Sequence, residues 1–125
     1  MIVVQESVII AIQSTLRCFG ITRRYKGYLY LCHCIELAVA NDFRLSAITK
    51  EIYMAAAAAY DCEWRTVERN IRTLAARAWR VNAPLLEQLA GYSLESAPSA
   101  SEFIEILTTH VLRGAESLPT RTIKH

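Results

Sequence analysis

Charged side chains recur at three- and four-residue steps between residues 65 and 72, and they carry the clearest chemistry in this sequence. Arg65, Glu68, Arg69 and Arg72, with Thr73 beside them, fall on one face of a helix that we predict over about residues 64 to 79. The opposite face is apolar, with members at helical spacing: Val67, Ile71, Leu74, Ala75 and Ala78. This pattern predicts an amphipathic helix that presents guanidinium groups to solvent.

The residues before this helix predict the element that positions it. Five consecutive alanines, Ala55 to Ala59, have the highest helix propensity and almost no bulk, and Tyr60 closes their helix. The next residues, Asp61-Cys62-Glu63, suit a turn or an N-cap. Together these features predict a helix-turn-helix at about residues 54–79. In that motif the second helix enters the major groove of double-stranded DNA and the first helix braces it.

The overall charge does not by itself indicate a nucleic-acid-binding protein. The chain has 125 residues, 53% of them hydrophobic, and a net charge of only +2. Any DNA affinity must therefore come from a local basic patch. Arg23, Arg24 and Lys26 form one candidate, in a segment at 22–27. Two interpretations stay open: these side chains contact the phosphate backbone beside the motif, or they belong to a solvated loop.

Other residue types that could do chemistry form no convincing set. Cys32-His33-Cys34 has the residue types of a zinc site, but helical side chains two positions apart diverge by about 200°, so the two cysteines cannot share one ion. We interpret them as buried structural cysteines. The histidines and glycines are scattered, and Glu102 with Glu105 is typical of a solvated face. We expect no catalytic set, no metal and no cofactor, and therefore no enzyme.

The compartment follows from what the sequence lacks. Residues 1–13 have no basic region of the kind that begins a signal peptide. No apolar run reaches the ~18 residues of a membrane span, and the four cysteines show no paired framework. We expect a cytoplasmic protein with reduced thiols and no membrane partner.

Apolar periodicity predicts an all-α fold. A first helix at residues 3–18 carries an inner stripe and ends at Gly20; the stripe is Val8, Ile9, Ile12 and Leu16. A second helix is predicted from Tyr28 to Ala40. Helical spacing continues through residues 45–53 into the alanines, as one helix or two.

The second half of the chain carries clear end signals. A break at residues 81–84 places Pro84 at the first position of a short helix that Gly91 ends. Ser99 and Glu102 have the spacing of a capping box for a last helix that ends at Gly114. Its buried positions are Phe103, Ile104, Leu107 and Val111. We predict a single domain of about six helices, residues 1–115, and a flexible tail at 116–125.

Several blocks resemble one family in order and spacing over about residues 5 to 114. The blocks are Lys26-Gly27-Tyr28-Leu29-Tyr30-Leu31, Ile48-Thr49-Lys50-Glu51-Ile52-Tyr53, Val67-Glu68-Arg69-Asn70-Ile71-Arg72, Ala78-Trp79, Gly91-Tyr92 and Ser101-Glu102-Phe103-Ile104. They are similar to the C-terminal DNA-binding domain of the sporulation initiation response regulator, stage 0 sporulation protein A. The resemblance implies a bacterial effector domain of six helices, in the winged-helix-like, response-regulator effector class. Its fourth helix reads a short box resembling TGTCGAA, and paired domains bind tandem boxes.

The resemblance also implies a set of DNA-binding positions. They correspond here to Arg65, Thr66, Glu68, Arg69, Arg72 and Thr73. Glu68, Arg69 and Arg72 match the family's residue types. Arg69 can donate two hydrogen bonds to guanine O6 and N7, and Glu68 can accept one from a cytosine amino group. Arg72 can hold a base or a phosphate.

The chain departs from the family at several of these positions. The family has arginine at Thr66, histidine at Thr73 and serine at Arg65. It also has lysines where this chain has alanines, so backbone anchoring should weaken. Asp61 and Glu63 suit the helix dipole but should repel phosphates at the same end. The family carries a phosphoacceptor receiver domain upstream, and Met1 begins directly at the DNA-binding unit. If the chain is complete, we expect no switching by phosphorylation through that route.

Two functions follow from the match and from the departures. The first is a sequence-specific DNA-binding transcription regulator, bound as a homodimer on tandem sites or paired with a related regulator, and associated with the nucleoid when bound. The second is a relative with impaired DNA binding, which acts as a protein-interaction module or as an antagonist of a full-length regulator. Contiguous positive potential over the arginine face would favour the first, and a patch interrupted by acids the second.

Overall fold

The computed structural model describes the backbone of residues 6–123 and the side chains of residues 6–114, and within this part every regular element is helical. The elements are α1 (Glu6–Arg17), α2 (Tyr28–Ala40), a 3-10 helix (Asp42–Ala47), a π-helical turn (Thr49–Tyr53), α3 (Met54–Ala59), α4 (Trp64–Ala90) and α5 (Ala100–Ile123). The all-α prediction is confirmed. No helix in the described part of the chain has both the length and the apolar character needed to cross a membrane.

Helix α1 ends as predicted, at a glycine in the left-handed region. Gly20 has φ +70°, and its N–H donates to the carbonyl of Arg17 at 2.9 Å. The N–H of Ile21 donates to the carbonyl of Leu16 at 3.0 Å, which completes a Schellman motif. Both apolar partners, Leu16 and Ile21, are buried. Of the predicted inner stripe only Ile9 is partly exposed, and residues 3–5 lie outside the described residues.

Helix α2 runs through the centre of the domain and has the bounds predicted from the sequence. It packs against α1, α3, α4 and α5, so most of its circumference is covered. Its fully buried side chains include Leu31, Cys34, Ile35 and Ala38. Burial of each large apolar side chain contributes roughly 1.5–3 kcal/mol. The core against which the helix-turn-helix packs is therefore built on α2.

The helix-turn-helix is present, and its first helix is longer than the alanine run. The π-helical turn at residues 49–53 leads without a break into α3, so these residues and the alanines form one continuous helix. Ala56 and Ala57 are buried and α3 packs on α4, where side chains of this size let the two helix backbones approach closely. After the turn, Glu63 takes the extended N-cap conformation of α4, with φ −88° and ψ 149°.

Helix α4 contains a kink at Asn82, where φ is −155° and ψ is 65°. The Oδ1 atom of Asn82 accepts a hydrogen bond from the N–H of Leu85 at 3.3 Å, so Asn82 is the N-cap of a short helix at 83–90. Pro84 therefore occupies the second position of that helix; the predicted first position is wrong because Asn82 supplies the cap. No helical hydrogen bond is lost, since the first four N–H groups have no partner within the helix. Gly91, with φ +82°, ends this helix as predicted.

Counting 83–90 separately gives six α-helices in the described residues, the number predicted. At the start of α5 the Ser99 hydroxyl accepts a hydrogen bond from the N–H of Glu102 at 3.1 Å, which confirms half of the capping box. The Glu102 carboxylate instead accepts from the Tyr92 hydroxyl, at 2.8 Å. The predicted inner residues are buried: Phe103, Ile104, Leu107 and Val111.

The backbone of α5 continues to Ile123, so the predicted end at Gly114 is wrong. Glycine inside a helix costs about 1 kcal/mol relative to alanine, which weakens a helix without obliging it to stop. The side chains of residues 115–123 and all of residues 124 and 125 lie outside the described part. The flexible tail at 116–125 therefore stays a prediction.

Candidate nucleic-acid interface

The outer face of α4 carries the arginines that the sequence singles out. Arg65, Arg69 and Arg72 are exposed, and they follow one another at steps of four and three residues along the helix. The guanidinium carbon of Arg65 lies 5.2 Å from the ring centroid of Trp64. On the opposite side Val67 and Ile71 are fully buried, as the periodicity predicts. The buried face holds α4 in place while the outer face stays open to a partner.

Glu68 and Arg72 form an ion pair one turn apart on this face. The Oε1 atom of Glu68 lies 3.6 Å from the Nη2 atom of Arg72, and the two side chains are 28% and 60% exposed. A pair at this exposure contributes little to stability, at most about 1 kcal/mol. Both groups therefore remain able to exchange this contact for hydrogen bonds to bases.

Four of the six predicted contact residues line one open groove of about 420 Å³ between α4, the π-helical turn and the start of α5. The four are Arg65, Glu68, Arg69 and Arg72. Thr49, Ser99 and Ser101 also line this groove, so it contains residues with hydroxyl groups as well as the arginines. This arrangement can bind a polyanion: the cations supply charge and the hydroxyl groups can donate hydrogen bonds.

A pair of aromatic rings joins the two helices of the motif at the wall of this groove. The rings of Tyr53 and Trp64 lie nearly parallel, with an interplanar angle of 7° and a centroid distance of 6.2 Å. Tyr53 is buried, and this burial raises the pKa of its hydroxyl above the usual value. The phenol therefore stays neutral. The contact between the two rings fixes the start of α4 to the preceding helix of the motif.

Thr66 and Thr73 lie on a different flank of α4 and outside this groove. Thr73 is exposed, and its hydroxyl donates to the carbonyl of Arg69 at 3.1 Å. Thr66 is half-buried, and its carbonyl accepts from the Asn70 side-chain amide at 2.8 Å. These two predicted positions therefore present short neutral side chains, one of which is bonded to its own helix.

The predicted basic segment is placed against this second flank. Gly27 lies so close to α4 that a Cβ atom would be 3.0 Å from the carbonyl oxygen of Asn70. Arg24 and Lys26 are exposed next to this contact in the sequence. Arg23 differs, because its guanidinium carbon lies 6.0 Å from the Tyr28 ring and the residue lines a separate groove between α1 and α2. The three cations are therefore not one uniform patch.

Arg77 is a residue of the interface region that sequence reasoning did not identify. Its Nε atom donates to the carbonyl of Gly20 at 3.3 Å, and its guanidinium carbon lies 4.7 Å from the Tyr25 ring centroid. The available signal was weak: Arg77 stands at the border between the apolar and polar faces of α4. Its partners are more than fifty residues away in the chain, and periodicity cannot reveal them.

Two acidic residues stand at the N-terminal end of α4, as expected. Asp61 and Glu63 are both exposed. Asp61 has φ 54°, the left-handed conformation that ends α3. Among the described residues, the Glu63 side chain makes no capping hydrogen bond. These carboxylates place negative charge beside the arginine face.

The cysteines of the Cys32-His33-Cys34 sequence lie in the core. Cys32 is 8% exposed and Cys34 is fully buried. Burial raises the pKa of the Cys32 thiol to about 11 and raises that of Cys34 further. Both stay protonated at neutral pH, which agrees with their interpretation as structural cysteines.

A comparison with known families agrees with the all-helical fold. The family model described as Sporulation initiation factor Spo0A C terminal matches residues 12–111, a range that contains α2, α3, the whole of α4 and the basic segment. This is the family whose resemblance is stated above. It is a family of DNA-binding transcription regulators and not a known enzyme family. The chain belongs to this family and is a DNA-binding effector domain of a sporulation regulator.

Proposed function

We propose that the chain is a sequence-specific transcription regulator that reads a short base-pair box in the major groove with the segment 64–79 of α4. The supporting observation is the exposed stripe of Arg65, Arg69 and Arg72 on a helix whose other face is fully packed. Arginines at this spacing present their forks along one groove of a duplex.

The roles of the individual side chains follow from their positions. Arg69 is exposed, and it is assigned to a guanine. Glu68, beside it in the same groove, is assigned to a cytosine amino group. Arg72 and Arg65 are assigned to a base or a phosphate. The contributions of Thr66 and Thr73 are limited to hydrogen bonds or methyl contacts, because neither carries charge.

Backbone contacts and assembly complete the proposal. Arg24 and Lys26, next to the contact of Gly27 with α4, are assigned to phosphates, and Arg23 to a weaker contribution. Two copies are proposed to bind tandem sites, or one copy to pair with a related regulator. The place of action is the bacterial cytoplasm, at the nucleoid when the protein is bound.

Fluorescence anisotropy with two duplexes tests this function. One duplex carries two tandem boxes resembling TGTCGAA, the other is a scrambled sequence of the same composition, and salt is varied. The expected result is tighter binding to the boxes, with an affinity for both duplexes that falls as salt rises. Equal and weak binding to both duplexes would contradict box reading.

A second function is favoured by the acids at the motif. Asp61 and Glu63 are exposed at the end of α4 that should approach phosphates, and Glu68 interrupts the arginine stripe. The corresponding candidate is an antagonist that pairs with a full-length regulator and removes it from DNA. Titration of the chain into a preformed regulator–duplex complex separates the two functions. Loss of the complex without any binding of the chain to the duplex supports the antagonist.

A further inference from the structure

We propose that Arg77 is a positioning residue that fixes the segment 20–27 along α4, so that Arg24 and Lys26 supply phosphate contacts on one flank of the reading helix. This inference rests on the proposed function and deepens it, because it names the residue that holds the segment carrying Arg24 and Lys26 beside α4. Two observations support it. The segment contacts α4 at two points, and among the described residues the surface of α4 between these points has no free cation.

The first anchor is Arg77 itself. It combines a hydrogen bond, Nε to the Gly20 carbonyl at 3.3 Å, with a cation–π contact to Tyr25 at 4.7 Å. The site is tight, since a Cβ atom at Gly20 would lie 3.0 Å from Nη2 of Arg77. A planar guanidinium can donate and stack at the same time, whereas a lysine ammonium cannot reproduce both contacts.

The second anchor is the close approach of Gly27 to α4. A Cβ atom there would meet the Asn70 carbonyl oxygen at 3.0 Å and the Leu74 Cδ1 atom at 3.1 Å. Residues 70 and 77 are about 10 Å apart along the helix axis at 1.5 Å per residue. Segment 20–27 is therefore attached at both ends to one side of α4. This is a different side from the one that carries Arg65, Arg69 and Arg72, but it belongs to the same helix.

The flank between these anchors has no free cation of its own among the described residues. Residues 70, 73 and 77 follow it at steps of three and four. Asn70 and Thr73 are neutral, and Arg77 is engaged with Gly20 and Tyr25. Arg24 and Lys26 are exposed and lie between the anchored residues in sequence. Phosphate binding needs only positive charge at the right place, which these two side chains can provide.

Amide hydrogen exchange of the full chain tests the anchoring without any DNA. In Arg77→Lys, which keeps the charge, amides of residues 20–27 should exchange at least about tenfold faster than in the wild type, because a local contact is lost. Arg80→Lys is the matched control, since Arg80 is an exposed arginine on the same helix and should leave these amides unchanged. Equal exchange in wild type and Arg77→Lys would overturn the proposal.

The salt dependence of binding to the tandem-box duplex tests the role in DNA recognition. The double variant Arg24→Gln/Lys26→Gln should lower the slope of log affinity against log salt by about 1–2, since each phosphate contact contributes about 0.9. Arg77→Lys should lower it in the same direction and add no further loss in the double-variant background. Full additivity would show that Arg77 affects DNA binding independently of Arg24 and Lys26. An unchanged slope in all variants would show that the segment 20–27 makes no phosphate contact; either result overturns the proposal.

The two measurements also separate this proposal from the proposed function. Equal binding of the wild type to box and scrambled duplexes would remove box reading, while the slopes of the variants would still decide the role of the loop. A wild type that binds neither duplex would overturn both. Circular dichroism of every variant, which should match the wild type, controls for unfolding.

Discussion

The N–H of Cys62 donates to the carbonyl of Ala57 at 3.0 Å, and this bond closes the turn between the two helices of the DNA-binding motif. Within this turn Asp61, the residue before Cys62, has the left-handed conformation with φ 54°. Glycine or asparagine adopts this conformation at less cost than most residues. Asp61 therefore combines backbone strain with negative charge. Different substitutions at this residue can remove the strain or the charge separately.

Substitution of Asp61 should change stability and DNA affinity independently. Asp61→Gly is expected to raise the free energy of unfolding by about 1 kcal/mol, because it relieves the left-handed conformation. Asp61→Asn should leave stability nearly unchanged, and both variants should bind the box duplex more tightly because a carboxylate is gone. Urea denaturation and anisotropy measure the two effects. Asp61→Ala is the control, and an alanine variant as stable as the glycine variant would contradict the assigned strain.

The N-cap of α4 should be open to improvement. Glu63 occupies the N-cap without capping, so Glu63→Ser is expected to stabilise the protein by about 0.5–2 kcal/mol through a bond to the N2 or N3 amide. Glu63→Ala should have little effect, since no capping bond is lost. Thermal unfolding followed by circular dichroism gives both values. A large loss in the alanine variant would show that Glu63 has a stabilising contact.

Val67 should be intolerant of charge. It is fully buried beneath the arginine-bearing face of α4. Val67→Asp therefore places an unpaired carboxylate in the core, and this variant should be unfolded at room temperature. Thr66→Asp, one position away and half-buried, should cost far less. Near-ultraviolet circular dichroism and urea titration distinguish the two. An unchanged unfolding midpoint in Val67→Asp would mean that the buried face of α4 is assigned wrongly.

Arg69 should contribute to specificity more than to general affinity. Arg69→Ala is expected to weaken binding to the box duplex by about 1–3 kcal/mol and to relax the preference at one base pair. Binding to a scrambled duplex should weaken less, because only one charge is lost there. Anisotropy against a set of single-base-pair variants locates the affected position. Equal losses on box and scrambled duplexes would contradict a base contact.

The buried thiols predict a pH dependence and a pattern of reactivity. The pKa of Cys32 is raised by burial from 9.0 to about 11, so its contribution to stability is fully present below pH 9 and is lost as the pH rises towards 11. Unfolding at a series of pH values should show this decline. With a thiol-specific reagent at pH 8, exposed Cys18 should react first, and Cys32 and Cys34 only after unfolding. Equal native reactivity of all four thiols would contradict the described core.

Elements with a strong local signal were predictable from the sequence. The bounds of α2, the end of α1 at Gly20 and the buried face of α4 follow from periodicity, glycine conformation and apolar spacing. The exposed arginines of α4 were predictable for the same reason. The predicted first helical position of Pro84 is wrong, because the side chain of a neighbouring residue, Asn82, provides the cap. Gly114 did not end α5, because a single glycine weakens a helix only modestly.

Tertiary contacts account for the features that the sequence did not reveal. The bond between Arg77 and Gly20 joins residues 57 positions apart, and nothing in either local sequence indicates the partner. The same holds for Glu102, whose carboxylate bonds to Tyr92 and not to the N-cap amide that the capping-box spacing suggests. In both cases a long polar side chain found a partner fixed by the fold.

The parallel contact of Tyr53 with Trp64 affects how the motif would bind a duplex that contains a wrong base pair. Because these rings and the buried alanines join the two helices of the motif, the angle between the helices is set before any duplex arrives. The motif therefore has little capacity to adapt by hinge motion. Under the proposed function, a duplex with a wrong base pair would have to distort itself or leave a donor unsatisfied, so we expect rejection by rapid dissociation. Discrimination should accordingly appear in the lifetimes of the complexes much more than in their rates of formation.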